Sequence, residues 1–197
     1  SVLVNAQTAS LLEGQISALL TAQTSALNSG QVGALTVLQL NAVSLDGIAA
    51  LGVAQVRSLS VTQVSNLLNS QVQALATSQL VALATTQVAA FSEAQFTVLE
   101  SADLLSLSTA QIAGITSAQL LVISDPEFSS LSGAQVRAFT SGQIGSLALS
   151  QVAVLSTEQV IALSTAQIAS FTIDQVVSLS DADVIALGAS QVRALSS

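Results

Sequence analysis

Asp125 and Glu127, on either side of Pro126 in "SDPEF", form the tightest acidic cluster in the sequence, and Asp181 with Asp183 in "SDAD" forms the next. Carboxylates this close could bind a hard cation such as Ca²⁺, with Asp103 or Glu100 adding oxygens if successive turns of the chain stack suitably. The same spacing also describes the first turn of a helix. There acids favour the positive end of the dipole, and Pro at the second position loses no hydrogen bond. This second description is preferred for both stretches. Asp125 and Glu127 remain the only metal candidates, and no cofactor is expected.

Other chemistry has little material to work with. The chain of 197 residues contains no His, Cys, Met, Trp or Tyr, and its only basic side chains are Arg57, Arg137 and Arg193. Ser-His-Asp, Cys-His, Ser-Lys and Schiff-base arrangements are therefore all absent, and no enzyme is expected. "TSGQIGSL" holds two glycines but lacks the spacing of phosphate or dinucleotide loops. A net charge of −8 excludes nucleic acid, whose binding draws on Lys and Arg, and disfavours anionic membrane surfaces. Polar residues interrupt the apolar ones every few positions, so no run approaches the roughly 18 to 20 residues of a membrane span. Without Cys there are no disulfides, which fits either redox compartment. The chain opens at Ser1 with no basic segment before an apolar one, so a processed product or an excised segment is expected.

What the sequence has in abundance is repetition. Gln recurs at 7, 15, 23, 31 and 39 and onward to 191, always at a multiple of eight, and only Gly47, Asp103, Glu127 and Asp183 replace it. Counted from Val4, the 24 octads follow [S/T]-x-[A/S]-Q-[V/I/L]-x-[A/S]-[L/F] without insertion or deletion through residue 195. Position 8 is apolar in all 24, and position 5 in 22, with Thr8 and Thr24 as exceptions. Position 7 is small in nearly every copy. The three Arg residues all occupy position 6, which is therefore expected to face solvent. The five Phe residues take slots otherwise held by Leu or Val, as core fillers would. A uniform environment of this kind describes a solenoid over residues 1–197, with no internal boundary and no polar capping octad at either end.

The period selects the local structure. Eight residues advance an α-helix by about 800°, so one continuous helix would rotate its apolar pair by some 80° per octad and form no stripe. A strand would place the large residues at positions 5 and 8 on opposite faces, whereas a helix places them together. Ser or Thr at position 1 with Gln at position 4 is the capping-box pattern, clear in "STEQ" and "STAQ", and thirteen octads carry Ser or Thr in the first slot. An all-α solenoid of very short capped helices, one per octad, is therefore expected. In the stretch 155–171 the core would be Leu155, Val160, Leu163, Ile168 and Phe171, with Ser156, Gln159, Ser164 and Gln167 as caps. The alternative is a β-solenoid, in which Val, Ile and Thr form strands and the Gln residues stack as a ladder.

"LSTEQVIAL" at 155–163 resembles the opening helix of the repeats in TAL effectors, which implies locally a capped helix start; DNA binding is not implied. The array as a whole, free of Cys, acidic and rich in Ser, Thr, Ala, Val and Gln, resembles repeat regions of large secreted bacterial surface proteins and adhesins. That resemblance implies a structural protein at the cell surface or outside the cell, as a stalk or a self-assembling filament. Lacking capping octads, the chain is expected to belong to a longer array or to associate end to end with itself. The alternative is an adhesin-type binding module that presents a Ser/Thr-rich face to a glycan, a surface or a protein.

Overall fold

A computed structural model of the chain describes residues 4–195. Among them each octad holds one helix of four to six residues and there is no strand, so the helical solenoid is the observed fold.

The octad 156–163 shows how each unit is made. Ser156 is extended (φ −78°, ψ 154°), Thr157–Ala162 are helical, and Leu163 is extended again (φ −62°, ψ 139°). The amide of Val160 donates to the Ser156 carbonyl at 2.9 Å, and that of Leu163 to the Val160 carbonyl at 3.2 Å. This last, tighter bond ends the helix. The change of direction uses only extended backbone, and no described residue, glycine included, has positive φ. Position 1 therefore needs no special residue, which is why Val4, Leu68, Ala148 and Gly188 all serve there.

A helix of about five residues is far below the length that is stable alone. Its stability comes from its neighbours. The chain divides into two compact units, Ser1–Ser106 and Leu107–Ser197. Within each unit, every helix packs on the one three octads later, so three helices complete a turn of the solenoid and further turns lie over it as layers. In the first unit, for example, Ser29–Gly33 packs on Val53–Arg57, which packs on Thr77–Ala82. In the second, Gly133–Ala138 packs on Thr157–Ala162, which packs on Asp181–Ala186.

Positions 5 and 8 meet inside. Val160 and Ile168 are wholly buried, Leu155 and Leu163 nearly so, and Phe171 half-buried. Thr8 and Thr24 are buried at position 5 because each hydroxyl donates back to the position 1 carbonyl, of Val4 at 3.4 Å and of Leu20 at 3.3 Å. Phe91, Phe96, Phe128 and Phe139 are core fillers as expected, and the rings of Phe128 and Phe139 stack with centroids 6.2 Å apart. Position 7 is small because layers approach closely there. A Cβ on Gly133 would lie 3.0 Å from the Cβ of Ala162, a position 7 residue in the next layer. The three Arg side chains at position 6 are exposed, as their spacing implied.

Leu120→Ala, at a wholly buried position 5, should lower stability by about 2–5 kcal/mol. Ile161→Ala, at an exposed position 6, should change it by less than about 0.5 kcal/mol. Denaturant unfolding followed by circular dichroism measures both, and equal losses would contradict this assignment of inside and outside.

Candidate functional site

A helix of five residues leaves nearly all its backbone donors and acceptors without helical partners. The side chain at position 4 supplies them at both ends. Gln159 Oε1 accepts from the Ser156 amide at 2.7 Å, closing the start of its own helix. Its Nε2 donates to the carbonyl of Leu131 at 2.7 Å and to those of Phe128 and Ser129 at 3.2 Å, at the end of a helix one layer away. Gln167 repeats the pattern, with Oε1 accepting from Ser164 at 2.8 Å and Nε2 donating to Phe139 at 2.7 Å and to Val136 and Arg137 at 3.2 Å. Ser156 and Ser164 add the other half of the capping box, each Oγ accepting from the Gln amide at 3.2 Å.

The same joint runs through both units. In the first, Gln39, Gln63 and Gln79 donate to the carbonyls of Leu11, Leu35 and Leu51 at 2.6, 2.8 and 2.7 Å, always to the residue 28 positions earlier. In the second, Gln143, Gln175 and Gln191 reach Ile115, Leu147 and Leu163 at 2.6, 2.8 and 2.9 Å. These Gln side chains are buried. Left without Nε2, each carbonyl would be a buried acceptor lacking a donor, at a cost of about 1–3 kcal/mol.

Sequence reasoning found the capping half of this arrangement and missed the interlayer half. The Oε1 bond also forms where position 1 has no hydroxyl, as at Leu12 (2.8 Å) and Ala84 (2.7 Å), so it does not depend on the serine or threonine. The signal was in the counts. A capping box accepts Glu as readily as Gln, yet this array uses Gln in 20 slots and Glu in one, which means that the amide hydrogens are used.

The four departures from Gln behave differently. Asp183 Oδ2 accepts from the Ser180 amide at 3.3 Å, and its Oδ1 accepts from the Thr157 hydroxyl at 3.1 Å. Asp103 does the same with Glu100 (3.2 Å) and Thr77 (2.7 Å). Glu127 Oε2 accepts from the Ser124 amide at 3.1 Å and from its hydroxyl at 2.7 Å. Gly47 supplies nothing, and a Cβ there would come within 2.8 Å of Val43.

Asp125 and Glu127 are thus drawn into separate tasks, since Asp125 Oδ1 accepts from Ser150 at 3.1 Å. Pro126 sits in the first turn of Asp125–Ser130, as the capping description requires. Among the described residues no three acidic side chains gather as metal ligands, and no helix is long and apolar enough to cross a membrane. Neither the protein-family models nor the curated proteins compared with the chain match it.

Gln159→Glu keeps the oxygen that caps Ser156 but turns the second oxygen toward the carbonyls of Phe128 and Leu131. It should cost about 2–3 kcal/mol at neutral pH, against about 1 kcal/mol for Ser156→Ala. Burial beside carbonyls raises the new carboxyl's pKa above its unfolded value, so the protonated form, which can donate, is favoured on folding. The loss should therefore shrink as pH falls. Thermal unfolding of both variants across pH tests this, and a deficit that grows in acid would contradict it.

Proposed function

We propose that the chain is a non-enzymatic structural element, an extensible array whose work is to set length and spacing, as in a stalk, fibre or filament at the cell surface or outside the cell. The observation that carries this reading is the sameness of the joint. The contact between one layer and the next uses the same atoms at Gln39 as at Gln191, so whole octads can be added without designing a new interface.

Further octads are the natural partner for such a surface. Gln7, Gln15 and Gln23 cap their own helices through Oε1. No donor bond from Nε2 of these three is present among the described residues. Toward the other end, the carbonyls of Phe171, Leu179 and Leu187 receive no Gln amide among the described residues. These are the two halves of the interior joint, and octads in register, from the same polypeptide or another copy, would complete either. The acidic surface without lysine fits this reading, because repulsion between arrays opposes sideways clumping.

Small-angle scattering on chains of 16, 24 and 32 octads tests the proposal. The longest dimension should rise in proportion to octad number while the cross-section stays constant. A dimension that grows only as a compact particle's does would overturn it.

A further inference from the structure

The array has a second period. Gly47 and Glu127 lie 80 residues apart, and so do Asp103 and Asp183, which together are all four slots without Gln. Arg57 and Arg137, Phe91 and Phe171, and Thr77 and Thr157 show the same interval, ten octads.

Two members of this set form one device used twice. Thr77 donates to Asp103, and Thr157 to Asp183, in both cases across 26 residues and one layer. At a regular joint the later residue donates to earlier carbonyls through two or three bonds. At the aspartate joints the direction is reversed, and a single threonine hydroxyl donates to a later carboxylate. Asp is too short to reach the carbonyl 28 residues back, and it carries no hydrogen to give. The carbonyls of Leu75 and Leu155, both buried residues, accordingly receive no side-chain donor among the described residues. At Gly47 the corresponding carbonyl of Leu19 lacks one too.

We propose that the octads of Gly47, Asp103 and Asp183 are preset joints, at which the layers of the solenoid part before the regular ones do. Gly47 gives its joint no side-chain bond, whereas Asp103 and Asp183 give theirs a single replaceable one. The recurrence at ten octads places such joints at set intervals along the array, so that yielding is confined to chosen octads. This inference rests on the glutamine joint and stands whether or not the array serves as a spacer.

Native-state hydrogen exchange on the whole chain, read by mass spectrometry, tests it. Amides of the octad 100–107 should exchange about tenfold faster than those of 84–91, whose joint is regular, reflecting the missing bonds and the undonated carbonyl. Asp103→Gln should slow them to their neighbours' rate, since Gln is the array's own residue at this slot. Thr77→Val should speed them further in the natural background and have no effect beside Asp103→Gln. The pair Asp183 and Thr157 repeats the test in the second unit. Equal exchange in 100–107 and 84–91 would overturn the proposal, as would an Asp103→Gln variant that exchanges no more slowly, or a Thr77→Val effect that persists beside Gln.

Discussion

Each helix here is too short to hold itself, so everything depends on a primary amide that works in two directions at once. Gln Oε1 terminates the donor end of one helix and Nε2 terminates the acceptor end of another, one layer away. An ordinary helix spreads its unpaired groups over two ends separated by several turns. Here the ends dominate, and one side chain serves both. That economy explains why the helices can be so short wherever Gln occupies position 4. Among the described residues only Asn41 Oδ1 is a buried side-chain polar atom with no partner.

The apolar core and the amide joint depend on each other. Positions 5 and 8 exclude water from the joint, which makes each amide bond stronger and each missing one more costly. In return the joint fixes the register between layers, so that Val and Leu from successive layers meet. Gln71 shows both roles, since its side chain is almost fully buried while it bonds to the carbonyls of Leu40 and Val43 at 3.0 and 3.1 Å. Small residues at position 7 permit the close approach that such distances need, as the Gly133–Ala162 contact illustrates.

Regularity of this kind separates architecture from chemistry. A binding or catalytic site gathers unlike groups at one place, whereas this chain distributes like groups evenly. Its few unlike residues are absorbed in the same frame. Asp183 caps where Gln would cap, Glu127 closes on Ser124, and the Phe residues at 91, 96, 128 and 139 replace aliphatic side chains in the core. The proposal that the chain is a spacing element rests on this even distribution.

The period of eight, the helical state of each octad, the inward set at positions 5 and 8 and the outward Arg residues were legible in the letters, because local geometry decides them. Leu155, Val160, Leu163 and Ile168 could be assigned to the core from their three-residue separation on a helix face, and Ser156 and Ser164 to caps from their distance to Gln159 and Gln167. The number of octads per turn was not legible, since it depends on the angle between successive helices, which the packing of side chains in neighbouring layers sets. The second task of Gln, and the pairing of Asp103 with Thr77, depend on that number. Only when three octads close a turn do residues 26 and 28 apart become neighbours, and no local rule connects side chains at that separation.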